Sequence, residues 1–196
     1  MTKNDGLDFL LKNYFPTIKL LTLEDLQKDK SFLEQGISVR LSSKTDNIDV
    51  NLKSIHNVHD LETIIKFIKE NIQEYNIIIH KTVKPELIGT VSKYNNYNTD
   101  ILAIELYNNF ENRKKEIVSY RAIVEMIENR IIRIDNKDFY SQSLFRQIMR
   151  NLSDIYLNEY TFEFVVEQGK LFFTDFYSQE YSDIISKKVL KKKNKF

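Results

Sequence analysis

The amino-acid sequence predicts an α+β fold in which mostly antiparallel sheets are covered by helices. Three observations carry this. Only two long segments, His59–Tyr75 and Ser141–Tyr156, repeat apolar residues at three- and four-residue spacing. About eight short runs read instead as strands, some paired through short polar links such as Gln168-Gly169. Helices and strands do not alternate as successive βαβ units would require, and no repeat occurs at any period of about 20 to 50 residues.

Taken in order, Asp8–Tyr14 reads as a short helix that ends before Pro16, because the residue before a proline avoids the helical region. Ile18–Leu21 reads as a short strand. Thr22 to Asp25 resembles a capping box, and the helix it opens reaches Gln35 and stops at Gly36. Ile37–Ser42 alternates apolar and polar residues, which predicts a half-buried strand. Asp46–Asn51 is a polar turn. In the helix His59–Tyr75, Leu61, Ile64, Ile65, Phe67, Ile68 and Ile72 share a face. Ile77-Ile78-Ile79 is too apolar for a surface strand and predicts a buried central one. Ile88–Tyr94 and Ile101–Leu106 are strands around the turn cluster Asn95–Asp100. Glu116–Ile127 and Arg130–Asp135 form a pair joined by Glu128-Asn129. After the helix Ser141–Tyr156, Tyr160–Glu167 and Lys170–Tyr177 flank Gln168-Gly169 as a hairpin, and Ser182–Leu190 reads as a last helix.

A chain of 196 residues suits a single domain over 1–186, or two small lobes hinged near 80–84. With no Cys, disulfides, thiolate metal sites and a Cys nucleophile are excluded. Only 4 Gly are present, and no glycine-rich phosphate loop can be written from them. No apolar run approaches the roughly 20 residues of a membrane span, and the start Met1-Thr2-Lys3-Asn4-Asp5 does not read as a signal peptide. The expectation is a cytoplasmic protein without membrane insertion. Six of the 29 basic residues fall between Lys187 and Phe196, leaving a net acidic body ahead of a flexible basic tail. An acidic body argues against nucleic acid as the main partner.

The informative residues are charges set into apolar strands, where burial costs several kcal/mol unless the group is paired or used. Arg40, Glu105, Glu163 and Asp175 are such residues. Glu105 is therefore a candidate ligand-binding residue. A tight hairpin at Gln168-Gly169 brings Asp175 within a residue or two of Glu163, a pairing suited either to Mg²⁺ with phosphate oxygens or to the solvent face of a sheet. His56 and His59, three apart, read as a polar pair at a helix entrance, with no further metal ligand beside them.

Ser38-Val39-Arg40-Leu41-Ser42-Ser43 resembles the V-R-S-S strand of the ATP-grasp domain that opens phosphoenolpyruvate synthase and pyruvate phosphate dikinase. The segment from Ile77 to Gly89 resembles that family's Q-x-M-V-x-x-E-x-S-G stretch. Thr161-Phe162-Glu163-Phe164 followed by Gly169–Tyr177 resembles its D-I-E…G-K-L-Y-I-L-Q-x-R-P ending. The resemblance runs from about residue 37 to 178 and implies an ATP-grasp-like fold that binds ATP and Mg²⁺. It assigns Arg40 to the nucleotide phosphates, His80, Thr82 and Val83 to the hinge bordering the adenine, and Glu163 to the metal with Asp175 beside it. Asp175 stands where the family has glutamine and Tyr177 where it has arginine, so this corner of the site is altered. No Gly-Gly-Lys-Gly segment, phosphohistidine carrier domain or pyruvate-binding barrel has a counterpart here, which implies that this chain alone does not run the full dikinase reaction.

Two other readings stand beside nucleotide binding. One is a degenerate domain that serves as a binding or structural subunit of separate catalytic chains. The other is an unrelated α+β protein whose lysine tail contacts nucleic acid. Like charge and scarce apolar surface also predict that the tail is dispensable for folding. Deleting residues 191–196 should leave the melting temperature nearly unchanged, and a large drop would mean that the tail docks on the acidic body.

Overall fold

The structure, a computed structural model, describes residues 2–44, 52–96, 99–125, 130–135 and 141–181. The expected turn Asp46–Asn51, the link Glu128-Asn129, the helix Ser182–Leu190 and the lysine tail lie outside the described residues, as does the tip of the Asn95–Asp100 turn. The chain divides into two compact units, Met1–Asn13 with Thr17–Lys84, and Tyr14–Pro16 with Pro85–Phe196.

The first unit opens with α1 (Lys3–Lys12). Thr2 Oγ1 accepts from the Asp5 N–H while the Asp5 carboxylate accepts from the Thr2 N–H, so a capping box starts this helix well before the expected Asp8. The box outweighs the poor helix propensity of Gly6, the residue that follows Asp5. After β1 (Leu20–Leu21), the expected box at Thr22 and Asp25 opens α2 (Leu23–Lys28). The single helix expected up to Gln35 is in fact two. Asp29 turns extended (φ −130°, ψ 98°), and its carboxylate accepts from the Ser31 N–H at 2.9 Å, which starts α3 (Ser31–Glu34). Gly36 follows with φ +79°, a left-handed position that suits glycine.

Three strands and a helix complete the unit: β2 (Ile37–Ser43), β3 (Ser54–Val58), α4 (Leu61–Asn71) and β4 (Tyr75–Lys81). The sheet order is β1-β4-β2-β3 with antiparallel neighbours, so β4 is interior, as the Ile77–Ile79 run predicts. β3 has no sequence signature because it is short, polar and irregular: its register with β2 shifts beside Asn57, whose φ is +55°. On one face, Ile37, Val39 and Ile79 pack with Leu26 of α2 and Ile64 and Ile68 of α4. The other face of β2 was expected to meet solvent. Ser38 and Ser42 are instead buried, and the Ser42 hydroxyl accepts from the Asn4 N–H of α1 at 3.1 Å.

The second unit runs β5 (Leu87–Asn96), β6 (Thr99–Tyr107), α5 (Phe110–Lys114), β7 (Tyr120–Glu125), β8 (Arg130–Asp135), α6 (Gln142–Leu152), β9 (Tyr160–Glu167) and β10 (Lys170–Tyr177). Its sheet order is β10-β9-β5-β6-β7-β8, antiparallel throughout. The β9–β10 hairpin matches its sequence signal, with φ +52° at Gln168 and +69° at Gly169, both left-handed as a primed turn requires. α5 carries no apolar period and escapes sequence reading, and β7 accordingly begins at Tyr120 instead of Glu116. Among the described residues, no helix is long and apolar enough to cross a membrane.

One face of this sheet is apolar and borders α6, where Leu144 and Ile148 line a small gap with Ile104, Leu106 and Tyr120. Next to it, Phe15 stacks on Phe162 at 5.0 Å and meets Phe173 edge-on at 4.9 Å, while the Pro16 carbonyl accepts from the Phe173 N–H. Phe164 lies over Gly89 of the neighbouring strand. A Cβ on Gly89 would fall 2.2 Å from Phe164 Cζ and 2.9 Å from the Glu105 carbonyl oxygen. Gly89→Ala should therefore overpack the core and cost about 1–3 kcal/mol in urea denaturation. An unchanged midpoint would refute this close approach.

Candidate functional site

The second unit's other sheet face carries a polar row built by strand register. Asp175 of β10 stands opposite Glu163 of β9, Glu163 opposite Thr90 of β5, Thr90 opposite Glu105 of β6, Glu105 opposite Arg121 of β7, and Arg121 opposite Asp135 of β8. Opposed residues of an antiparallel pair share a face, so one line of charged and hydroxyl groups crosses all six strands. Asp175 joins it only through an irregularity. The register shifts between Phe173 and Asp175, which lets Phe173 and Phe176 both enter the core while Asp175 stays on the polar side. Strict alternation from Phe173 would have turned Asp175 inward.

Arginines compensate the row's carboxylates. Arg113 of α5 forms a half-buried ion pair with Glu163. Glu105 accepts from Arg121 Nε at 2.8 Å and from the Tyr107 hydroxyl at 2.8 Å. Burial and the Glu105 carboxylate push the Tyr107 hydroxyl up to about 12, so it stays a donor at neutral pH. One row along, the Ser92 and Thr161 hydroxyls bond at 2.9 Å.

The first unit places the remaining sequence candidates on the polar face of its own sheet. Arg40 is half-buried, opposite Ile78 of β4 and Ser54 of β3. His80 lies opposite Ser38, is 6% exposed and donates from Nδ1 to the Lys81 carbonyl at 2.8 Å. Thr82 follows β4: its N–H donates to the Gly36 carbonyl, and its hydroxyl bonds the Ser38 hydroxyl at 2.8 Å and accepts from the Asn57 N–H at 3.1 Å. Val83 is half-buried in the same link. His56 sits on β3 instead of at a helix entrance, with Nε2 on the Ser54 hydroxyl at 2.8 Å, while His59 Nδ1 meets the Leu33 carbonyl.

Register thus joins Glu163, Asp175 and Glu105 in one row, and Arg40, His80 and Thr82 share a separate sheet's surface. Sequence reasoning missed Arg113, Arg121 and Tyr107. The alternation of Tyr120–Glu125 carries the signal for Arg121, whereas Arg113 depends on a helix that the sequence does not announce. Among the described residues, no group of three or more His, Asp or Glu is gathered to hold an ion by itself. Mg²⁺ needs no such cage, since it binds through one or two carboxylates together with phosphate oxygens and water. The Glu163–Asp175 pair fits a cation of that kind.

Burial pulls the His80 imidazole from its ordinary 6.5 down to about 4, with nearby Arg40 adding to the effect, and His56 is lowered as well. A histidine whose folded value is depressed leaves stability intact above the unfolded value. Between about 6.5 and 4 the unfolded chain takes the proton and the folded chain does not, so stability falls as pH drops. The loss should reach roughly 3 kcal/mol near pH 4, and His80→Gln should flatten that part of the pH profile in denaturant titrations. An identical slope in the variant would refute the assignment.

No protein-family model and no curated protein matches the chain. Solved structures do resemble it. Ca. Korarchaeum cryptofilum ACD1 in complex with coenzyme A is 9% identical over 90% of this chain and 91% of that one, with a TM-score of 0.60. The same organism's dinucleotide forming acetyl-coenzyme A synthetase 1, in complex with coenzyme A, Ca-AMPCP and HgCl+, is 10% identical over the same shares with a TM-score of 0.54. Carboxyaminoimidazole ribonucleotide synthase from Asperigillus clavatus complexed with ATP is 12% identical over 89% of this chain, which spans 43% of that protein, with a TM-score of 0.53. At these identities the likeness is one of fold, and the fold of this chain is an ATP-grasp-like α+β fold.

Proposed function

We propose that this ATP-grasp-like domain binds a purine nucleoside triphosphate, ATP, together with Mg²⁺. The observation that carries the reading is the polar row, where Glu163 and Asp175 stand in direct register with Arg113 on the same carboxylate. Hard carboxylate oxygens suit Mg²⁺, and a guanidinium fork suits phosphate. Bound Mg²⁺ would supply charge neutralisation to the phosphates. Glu163 and Asp175 would hold it, Arg113 would exchange its carboxylate for a phosphate, and the Thr90 hydroxyl lies between Glu163 and Glu105 as a neutral partner. Support also comes from two solved structures of like fold, one described with Ca-AMPCP and one with ATP. The finer likeness to the phosphoenolpyruvate synthase type rests on the short sequence motifs, which assign Arg40 to phosphate and His80, Thr82 and Val83 to the base.

A second reading draws on a specific observation: both central carboxylates already have cationic partners of their own, Arg113 for Glu163 and Arg121 for Glu105. A degenerate domain that has become a non-catalytic binding or structural subunit would look like this. Calorimetry with a non-hydrolysable ATP analogue, with and without Mg²⁺, separates the two. The parent chain should bind the analogue in a Mg²⁺-dependent manner, and Glu163→Gln should abolish that dependence. Because the Arg113–Glu163 pair is partly exposed, the same change should cost no more than about 1 kcal/mol of stability. Absence of binding in the folded parent would favour the degenerate subunit. Binding undisturbed by Glu163→Gln would remove the row from the nucleotide site.

A further inference from the structure

Two ion pairs lie along the polar row, and they are built differently. Arg121 belongs to β7 itself and binds Glu105 twice, through Nε at 2.8 Å and through Nη2 at 2.7 Å on the same carboxylate oxygen. The Tyr107 hydroxyl of β6 donates to the other Glu105 oxygen at 2.8 Å. Both oxygens of Glu105 are thus taken by groups rooted in the sheet. Glu163 is held at one point only. Arg113 Nη2 meets its Oε1, whereas Glu163 Oε2 and the Nε and Nη1 donors of Arg113 make no hydrogen bond among the described residues.

The segment that carries Arg113 is lightly anchored. No residue from Asn108 to Ser119 is buried. α5 is fixed by the Asn109 side chain on the Asn112 N–H, and the chain after it by the Ile117 and Ser119 N–H groups on the Asn112 and Leu106 carbonyls. Segments with so few buried contacts lie at the low end of local stability. Moving Arg113 off Glu163 therefore disturbs no core packing, whereas freeing Glu105 means breaking every contact that β6 and β7 make to it. A divalent cation and the Arg113 guanidinium compete for the same Glu163 oxygen. A cation arriving alone must displace the guanidinium with nothing to receive it. A phosphate changes this, because its oxygens can take as a fork the guanidinium that Glu163 engages at one point. Glu163 and the opposed Asp175 are then left as like charges side by side, which a divalent cation relieves.

We propose that Arg113 gates the metal position of the row: in the free protein it closes Glu163 to a lone divalent cation, and a nucleotide phosphate opens it by drawing the guanidinium away. The inference rests on the nucleotide reading above and adds selectivity to it, for metal together with phosphate over metal alone. By linkage the coupling that Arg113 carries is reciprocal. Mn²⁺ serves as the probe on the full chain, because it takes the same oxygen ligands as Mg²⁺ and its free form is counted by electron paramagnetic resonance. At fixed ionic strength the parent should hold Mn²⁺ alone weakly, and Arg113→Gln should bind it roughly fivefold more tightly. Adding Glu163→Gln to Arg113→Gln should abolish that gain. The non-hydrolysable ATP analogue in EDTA should show the opposite sign in calorimetry, binding the parent more tightly than Arg113→Gln. Lys114→Gln removes the same charge one residue along, from a side chain on Glu111, and should leave both affinities within about twofold of the parent. The gate is overturned if Arg113→Gln, melting like the parent, fails to tighten Mn²⁺ binding, if Lys114→Gln tightens it as much, or if the analogue in EDTA binds Arg113→Gln as well as the parent. In each of these cases the parent can still bind the analogue with Mg²⁺ through Glu163, so the gate fails alone. A parent that binds no analogue, with or without Mg²⁺, overturns the nucleotide reading and the gate with it.

Discussion

Phe164 occupies the space over Gly89, and the second unit's architecture depends on that contact. Only a residue without a Cβ lets the ring close against β5 while the Glu105 carbonyl approaches from the other side. This packing seats β9 against β5 in the register that places Glu163 opposite Thr90. Since side chains in a strand alternate with period two, a slip of one residue would send Glu163 into the core and Phe164 out of it. The aromatic packing of Phe15, Phe162 and Phe173 makes that slip costly, because each buried ring contributes roughly 1.5–3 kcal/mol. The polar row thus inherits its alignment from the core on the opposite face.

Alignment creates an electrostatic problem that the fold meets with neighbouring cations. Glu163 and Asp175 are directly opposed like charges, an arrangement that by itself opposes strand pairing. Arg113, carried in by a five-residue helix capped by Asn109, offsets it from outside the sheet. Arg121 offsets Glu105 from within. Because these groups are partly solvated, the pairs add little to global stability, and their effect is to offset like charges that strand register brings side by side.

The first unit follows the same division of labour on a smaller sheet. Its apolar face packs on α2 and α4, and its polar face gathers Ser38, Ser42, Arg40 and His80. Here the polar side chains are largely buried, so each must be bonded, and the Ser38–Thr82 and Asn4–Ser42 contacts do this for the serines. The buried neutral His80 belongs to the same scheme, since it donates to a carbonyl and carries no charge in its resting state.

The amino-acid sequence by itself determined the fold class, the interior strand Ile77–Ile79, the Thr22 capping box, the C-terminal stop at Gly36 and the β9–β10 hairpin, because each of these rests on local chemistry within a few residues. It also singled out Glu163, Asp175, Glu105 and Arg40 as charges in apolar surroundings. Elements without a local signature escaped it: β3, whose polar residues are ordered by pairing with β2, and α5, whose residues show no apolar period. Only the tertiary structure decided that Asp175 faces Glu163, since that depends on a register shift which alternation cannot announce. The same holds for Arg113 reaching Glu163 across fifty positions of chain. Partners of this kind are chosen by packing between distant segments, and no period or propensity of the local chain encodes them.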